Sequence, residues 1–246
     1  MNNSFILKLK RGETPFFRAL NTLAKSVFTA RLPLPAFLNP LLGALYTTHQ
    51  IVLEGFRRLF AFFYIEPLFR GRCHSIGRNF SITHLPYVIS HAKITIGDNV
   101  NFFGKVDILS GRIFDEPMLT LGNRVDIGHN VGFVVNKEIV IEDDVNVATG
   151  VRFMDTDAHP KDLAERIADL PPRPDEIKPV RICKGAWIGQ NCFILKGVTI
   201  GEGAIIGVNS VVVNDIPPYS IAMGNPARVV IKGLKPVPPS ESSLST

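Results

Sequence analysis

The chain has 246 residues, 46% of them hydrophobic, so it is long enough to bury a sizeable core in one or two domains. Its formal net charge is +5, but residues 1–72 alone hold ten Lys or Arg against Glu13, Glu54 and Glu66. The rest of the chain is slightly acidic, with 17 basic and 19 acidic side chains, which argues against a nucleic-acid partner for that part.

The cysteines and the hydropathy pattern indicate in which cellular compartment the protein is expected. Cys73, Cys183 and Cys192 form no C-x-x-C pair and no even framework, which predicts reduced thiols in a cytoplasmic protein. No secretion signal opens the sequence, and no apolar run reaches about 18 residues without a charge. We therefore expect a cytoplasmic protein that does not span a membrane.

Residues 1–72 form a predicted helical region that is basic and rich in phenylalanine. Thr14-Pro15 is typical of a helix start, and helical spacing of apolar residues follows it and resumes over residues 50–69. Ten of the 17 phenylalanines lie here. Two interpretations remain open: the helices bury these aromatic rings against each other and against the next domain, or they lie on an anionic membrane surface.

Residues 73–234 form a second predicted domain, organised by a six-residue repeat. The repeat is irregular from Ser75 onward and becomes strict near its end, where an aliphatic residue recurs at every sixth position: Ile182, Ile188, Ile194, Ile200, Ile206 and Val212. A period of six fits neither an α-helix nor a β-hairpin. It is typical of a parallel β-helix, in which each aliphatic side chain points inward and stacks on its counterpart in the next coil.

The repeat is interrupted over residues 154–180, which we predict to be a long functional loop. His159 lies in this loop, with Asp155 and Asp157 before it and Pro160 after it. An imidazole oriented by a carboxylate is suited to general-base catalysis. Beyond Leu234 the Pro- and Ser-rich tail, residues 235–246, is predicted to be disordered.

At these motifs the chain resembles a known family. D-T-D-A-H-P, W-I-G, G-V-T-I-G, I-G-V-N-S-V-V, D-I-P-P-Y and G-N-P-A-R are similar to motifs of the hexapeptide-repeat acyltransferases, close to the galactoside, maltose and nodulation-factor O-acetyltransferases and their polysaccharide-modifying relatives. The resemblance is specific over residues 141–231 and looser over 75–140. It implies a mainly β fold, a left-handed parallel β-helix with a long catalytic loop, to which the residue pattern of positions 1–72 adds an N-terminal α-helical region.

The resemblance also implies an assembly and a reaction. Three copies of the chain would form a homotrimer with sites between neighbouring subunits, and acetyl-CoA would be the acyl donor, with no metal required. His159 would take the proton from an acceptor hydroxyl, Asn130 would hold that hydroxyl, and Asp155 or Asp157 would fix the tautomer of His159.

The expected coenzyme A site comes from the same resemblance. Four residues occupy positions that line the coenzyme path in the family: Trp187, Gln190, Val208 and Arg228. One departure is Asn214, where the sugar acetyltransferases often have Lys, so a cation expected near the 3′-phosphate of coenzyme A is absent from this position.

The expected function is thus an acyl-CoA-dependent O-acyltransferase, an O-acetyltransferase acting on a sugar hydroxyl of a surface glycan or of its lipid-linked precursor. The helical region adds an expected peripheral contact with the inner membrane face. The sequence leaves two alternatives to this function. A γ-carbonic-anhydrase-like zinc enzyme needs three converging histidines, and the sequence has no H-x-x-x-x-H pair; a membrane-associated scaffold without catalysis would not need the D-x-H-P motif.

Overall fold

The structure is a computed structural model and describes residues 3–30 and 34–234; the predicted tail at 235–246 lies outside the described residues. The α-helices are α1 (Asn3–Arg11), α2 (Pro15–Thr29), α3 (Asn39–Phe60), α4 (Glu66–Arg72) and α5 (Leu163–Ile167). Shorter helical turns span Ala36–Leu38 and Pro174–Glu176, both of the 3₁₀ type, and Ala61–Ile65, which is a π-turn.

Twenty short strands follow the N-terminal helices. In chain order they are β1 (Ser75–Ile76), β2 (Ser81–Ile82), β3 (Tyr87–Ile89), β4 (Lys93–Ile96), β5 (Asn101–Phe102), β6 (Val106–Leu109), β7 (Met118–Leu121), β8 (Asp126–Ile127), β9 (Val131–Val134), β10 (Glu138–Ile141), β11 (Asn146–Val147), β12 (Arg152–Met154), β13 (Val180–Ile182), β14 (Trp187–Ile188), β15 (Phe193–Ile194), β16 (Thr199–Ile200), β17 (Ile205–Ile206), β18 (Val211–Val212), β19 (Ile221–Gly224) and β20 (Ala227–Ile231).

The strands form three parallel sheets in which each strand pairs with the one three places further along the chain. Sheet A has the order β1-β4-β7-β10-β13-β16, and sheet C has the order β3-β6-β9-β12-β15-β18. Sheet B has the order β2-β5-β8-β11-β14-β17, extended by β19 and by the antiparallel β20. Consecutive strands therefore lie on three different sides, and every third strand returns to the same side.

The six-residue repeat is the signature of this arrangement. In the regular part, Ile182, Ile188 and Ile194 lie on sheets A, B and C in turn, and their partners in the next coil are Ile200, Ile206 and Val212. All six side chains are buried, as the sequence predicted. Their stacking supplies a continuous apolar core, since each removes its neighbours in the adjacent coils from water.

The N-terminal helices expose most of their apolar side chains. Thr14 caps α2, because its hydroxyl accepts a hydrogen bond from the backbone N–H of Phe17 at 3.3 Å. Neither α2 nor α3 contains a buried residue. Within residues 3–30 and 34–234, no helix has both the length and the hydropathy that crossing a bilayer requires.

The chain divides into two compact units between Leu53 and Glu54, so the second unit begins inside α3. Within that unit, Phe69 of α4 is buried against Phe80 and Phe102, with ring centroids 5.9 and 6.0 Å away. Ala61 and Ile65 of the π-turn are buried beside them. These apolar side chains cover the open end of the core at the first coil.

The corners between sheets A and B carry polar side chains that join successive coils. The side-chain oxygens of Asp98, Asn123 and Asp143 each accept the backbone N–H of a residue one coil earlier, at 2.7–2.9 Å. A Cβ at Gly97 would lie 2.6 Å from the carbonyl oxygen of Gly122, so this corner has room only for glycine. The corners are thus held in register by hydrogen bonds that strands of two residues cannot supply alone.

Asp155 makes the most extensive of these coil-to-coil connections. Its buried carboxylate accepts the backbone N–H groups of Asn136 at 2.9 Å, Lys137 at 2.6 Å and Glu138 at 3.0 Å. Burial raises the pKa of the Asp155 carboxyl above its ordinary value, and these hydrogen bonds act in the opposite direction. The residue fixes the turn that precedes β10 and the point at which the chain leaves sheet C.

We expect Asp155→Ala to lower the free energy of unfolding by about 3 kcal/mol, because it leaves consecutive backbone N–H groups without an acceptor. Asp157→Ala, two residues away, removes a single ion pair whose carboxylate is 46% exposed and should cost about 1 kcal/mol or less. Urea unfolding followed by circular dichroism measures both.

The pH dependence gives an independent check. The raised pKa means that the folded chain holds this proton more tightly than the unfolded chain, so this carboxyl lowers stability as the pH rises through its folded pKa. That contribution should be absent from Asp155→Ala. Equal losses in the two variants at neutral pH would contradict the assigned role of Asp155.

Candidate active site

His159 lies in the segment that joins β12 to β13 and leaves the three sheets. The hydroxyl of Thr156 accepts the N–H of Ala158 at 3.1 Å, and Ala158 takes a left-handed conformation with φ of +67°. This tight turn leaves His159 exposed beside a cavity of about 430 Å³. The cavity is lined by Leu109, Ser110, Gly111, Arg112, Ile113, Val134, Asn136, Thr156, Ala158, His159, Asp169, Leu170, Pro171 and Pro172.

The cavity lies between two interruptions of the coil. One wall comes from residues 109–113, which begin at the last residue of β6, and the opposite wall comes from the return part of the segment, residues 169–172. Leu109, Val134, Leu170 and the two prolines make most of its surface apolar. A ligand here would meet aliphatic surface on both sides and the imidazole at the rim.

The segment is held in shape by its own side chains. The side chain of Asp162 caps α5 by accepting the N–H of Glu165 at 3.0 Å, and Arg173 pairs with Glu165 from the return part. Arg166 donates to the carbonyl of Pro160 at 3.0 Å and to that of Lys161. These contacts give the residues around His159 a defined conformation.

The two carboxylates before His159 bind other partners. Asp155 accepts hydrogen bonds from residues 136–138, as described above. Asp157 pairs with the ammonium group of Lys196 at 2.5 Å, and the same ammonium donates to the carbonyl of Glu176 at 2.7 Å. Among the described residues, neither carboxylate is hydrogen-bonded to His159, so the geometry assigns no orienting carboxylate within one chain.

Lys196 is a contact of the His159 loop that the sequence did not identify. It lies in the corner between β15 and β16, and its side chain is 15% exposed. In the repeat this position ordinarily points to solvent, and no motif marks it. Its partners, Asp157 and Glu176, lie at the two ends of the preceding loop, so only the fold reveals the contact.

Asn130 lies apart from the His159 cavity. It precedes β9 in a left-handed conformation with φ of +57°, and its side-chain oxygen accepts a hydrogen bond from Arg152 at 3.2 Å. The cavity contacts Val134, at the other end of the same strand. Four residues of extended chain, about 13 Å, therefore separate Asn130 from the His159 cavity.

Trp187 and Gln190 lie together in another cavity, of about 490 Å³. Its lining residues are Phe103, Asp126, Gly128, His129, Asn146, Val147, Ala148, Thr149, Trp187 and Gln190. Small residues form its floor: a Cβ at Gly128 would lie 2.6 Å from the backbone nitrogen of Thr149, so only glycine fits there. The result is a narrow furrow along the edge where sheet B turns into sheet C.

Val208 and Arg228 lie further along the chain from this cavity. Val208 follows β17 and is 62% exposed, and the backbone N–H of the next residue, Asn209, bonds to the carbonyl of Gln190 at 2.8 Å. Arg228 lies on β20, where it pairs with Met223 of β19, and its guanidinium donates to the carbonyl of Ala227 at 3.1 Å. Val208 thus stacks one coil above Gln190.

The His159 cavity and the Trp187 cavity lie at opposite edges of sheet C and share no lining residue. The first contacts the ends of β6 and β9, and the second contacts residues that precede β9, β12 and β15. One chain therefore does not bring the predicted base next to the predicted coenzyme residues. In the part of the chain that the structure describes, no three His, Cys, Asp or Glu side chains cluster as a metal site would require.

Comparison with known proteins relates this arrangement to others. Residues 179–214 match the family described as bacterial transferase hexapeptide, six repeats. A Staphylococcus aureus protein with the provisional name of an acetyltransferase is 54% identical over 54 residues, 22% of this chain and 27% of that protein. A Schizosaccharomyces pombe protein with a similar provisional name is 34% identical over 118 residues, 48% of this chain and 45% of that protein. The chain thus spans between a quarter and a half of the length of these relatives.

A solved structure shares the fold. A mutant of AntD, an N-acyltransferase from Bacillus cereus in complex with dTDP and coenzyme A, has a TM-score of 0.52 at 20% identity and covers 68% of this chain and 88% of its own. At this identity the likeness concerns the fold alone. The family match confirms the resemblance drawn from the sequence motifs: over residues 179–214, this chain carries the hexapeptide repeat of the bacterial transferases.

Proposed function

We propose that the chain is an acyl-CoA-dependent O-acyltransferase that transfers an acetyl group to a sugar hydroxyl. The observation that carries the proposal is the exposed His159 at the rim of a largely apolar cavity, on a fold whose repeat matches the hexapeptide transferases. In this proposal the three-sheet coil is a left-handed β-helix. The acceptor is a sugar of a surface glycan or of its lipid-linked precursor.

The proposed reaction is direct transfer. His159 takes the proton from the acceptor hydroxyl while the hydroxyl oxygen attacks the thioester carbon of acetyl-CoA, forming a tetrahedral oxyanion. A backbone N–H stabilises that oxyanion. Its collapse breaks the carbon–sulfur bond, and the departing thiolate receives the proton from the imidazolium, which returns His159 to its starting state.

The furrow at the edge of sheets B and C is the proposed path of the acyl donor. Trp187 and Gln190 flank its small-residue floor, Val208 continues it by one coil, and Arg228 supplies a cation for a phosphate of coenzyme A. Asn214 in place of a lysine removes one further cation from this end. Asn130 keeps a proposed role at the acceptor hydroxyl, which requires Arg152 to release its side chain.

The separation of the two cavities supports a trimer with shared sites. A strand of sheet C lies between His159 and the furrow, so a productive site needs His159 of one copy beside the furrow of another. Copies that meet through different surfaces form closed rings when the rotation closes, and three is the number that we propose here. Asp157 would then act on His159 through its Lys196 pair, by holding the loop against the coil.

The exposed face of α3 and the π-turn supports a peripheral membrane contact. Phe56, Phe60 and Phe63 recur at helical spacing and are 67%, 47% and 73% exposed, with Arg57 and Arg58 between them. Aromatic side chains next to arginines are suited to the headgroup region of an anionic bilayer. Contact with the inner membrane face would place the enzyme at a lipid-linked acceptor.

The test of the proposed base is His159→Gln. We expect kcat/KM to fall by about 10²- to 10⁴-fold, because the variant cannot accept the proton from the hydroxyl. Thiol release from acetyl-CoA, measured against a panel of sugars, reports the rate. His74→Gln is the control, since that exposed histidine lies outside both cavities. Full turnover by His159→Gln would exclude this residue as the base.

If each site is shared between two copies, co-expression of two variants that are inactive alone should restore activity. Thr149→Trp blocks the furrow but keeps His159, and His159→Gln has the opposite defect. With random exchange of copies, about a quarter of the interfaces would join an intact histidine to an intact furrow, so co-expression should restore about a quarter of the activity. No recovery in a purified mixed oligomer would argue that one chain holds the whole site.

Membrane contact predicts binding to phosphatidylglycerol vesicles at low salt and little binding to phosphatidylcholine vesicles. At about 1 M salt the Debye length falls to about 3 Å, so the electrostatic contribution to vesicle binding should be lost. Phe56→Asp should weaken binding, because it places a charge on the apolar face. Co-sedimentation measures the bound fraction, and equal binding to both lipids at both salt concentrations would contradict the proposal.

A further inference from the structure

A cavity of about 560 Å³ lies where the end of α3 and the π-turn face the first coils, entirely within the second compact unit. Its lining combines two arginines, aromatic rings, hydroxyls and a histidine. The residues are Glu54, Arg57, Arg58, Ala61, Phe62, Glu66, Phe80, Ser81, Ile82, Thr83, His84 and Phe103. Apart from Phe103, which also lines the proposed donor path, none of them belongs to the catalytic proposal above.

This cavity continues the furrow that contains Trp187. Phe103 lines both cavities and is 60% exposed. His84 of the first cavity and His129 of the second have ring centroids 6.3 Å apart. Gly104 makes room for this approach, since a Cβ there would collide with the His129 ring. A continuous line of exposed rings therefore joins the two cavities across three coils.

The charges at the α3 end favour an anion. Glu54 pairs with Arg58 at 3.2 Å, and Glu66 pairs with Arg70 at 2.8 Å. Among the described residues, Arg57 has no acidic side chain within ion-pair distance. The acidic side chains are thus matched by their own arginines, and Arg57 remains as a cation beside the hydroxyl of Ser81, while the Thr83 hydroxyl donates to the carbonyl of Phe102 at 3.4 Å. Guanidinium groups beside hydroxyl donors are suited to phosphoryl oxygens.

The apolar residues and the distance define the rest of the ligand. Phe62 is 65% exposed at the rim, next to the apolar face of α3. Adjacent strands lie about 4.8 Å apart, so three coil spacings, about 14 Å, separate the level of His84 from that of Thr149 in the proposed donor path. A sugar joined to a phosphoryl group can bridge that distance, with Phe103 as a stacking surface for the sugar ring.

We propose that the acceptor is a phosphorylated amphiphile: its phosphoryl group binds Arg57, its apolar chain lies against Phe62, and its sugar follows the furrow past Phe103 toward the donor. This inference rests on the proposed acyl transfer, which it deepens by naming the class of acceptor. In this proposal the cavity at the end of α3 recognises the phosphoryl group, and the furrow beyond Phe103 recognises the sugar.

The test is calorimetric titration of the 246-residue chain, at low salt and without an acyl donor, with farnesyl diphosphate, farnesol and inorganic pyrophosphate. Farnesyl diphosphate should bind more tightly than either of the other two. The variant Arg57→Gln should weaken its binding about tenfold, through loss of charge-assisted hydrogen bonds. Thr83→Trp, which fills the cavity without changing its charge, should also weaken it.

The matched control is Arg78→Gln, an exposed arginine of the first coil that pairs with Asp98 at another corner and should leave affinity unchanged. Equal affinity for farnesol and farnesyl diphosphate would overturn the proposal, because apolar surface alone would account for binding. Equal affinity for pyrophosphate would overturn it in favour of a free anion. Since no acyl donor is present, these results do not depend on whether the chain transfers acetyl groups.

Discussion

The carboxylate of Asp155 is the contact on which the organisation of the candidate site depends. A coil of parallel strands tolerates a long interruption only if the strands before and after it keep their register. Asp155 binds the backbone of residues 136–138, in the coil that precedes the interruption, and its own carbonyl accepts the N–H of Lys178 at 3.0 Å, where the chain returns. β13 can then pair with β10 across the whole interruption, with Ile182 opposite Ile141. The loop that carries His159 is therefore compatible with an unbroken core.

The same scaffold determines where the two cavities lie. Where small residues stack at the corners between sheets B and C, they leave a furrow, and where loops interrupt the corners, they form the walls of the His159 cavity. In this chain the small-residue edge and the interrupted edge lie on opposite sides of sheet C, so the geometry of a single copy separates the imidazole from the furrow. The helical end adds a third element, since the π-turn and α4 close the core with Phe69 while leaving the furrow open toward the end of α3.

The regular part of the fold could be predicted because its physical cause is local. Each inward aliphatic side chain stacks on its equivalent in the next coil, so the period is visible in the sequence, and residues 182–212 occupy the predicted core positions. The polar contacts follow no period that is visible in the sequence. Asp155, Asp157 and Asn130 all find partners in other coils, and the partner of Asp157 is Lys196, in an otherwise ordinary corner beyond the loop. Sequence proximity to His159 therefore did not indicate contact with it.

Lys196 has a mechanical consequence. Its ammonium group holds Asp157 on the outgoing part of the loop and the carbonyl of Glu176 on the returning part. Both ends of the loop are thereby tied to one atom of the rigid coil, and the loop lacks a free hinge at its base. Motion that admits or releases a ligand is therefore easier in the outer portion around α5, where the Arg173 side chain of the ion pair with Glu165 is 60% exposed. His159 therefore lies near the anchored base of the loop, and the outer portion around α5 is less restrained.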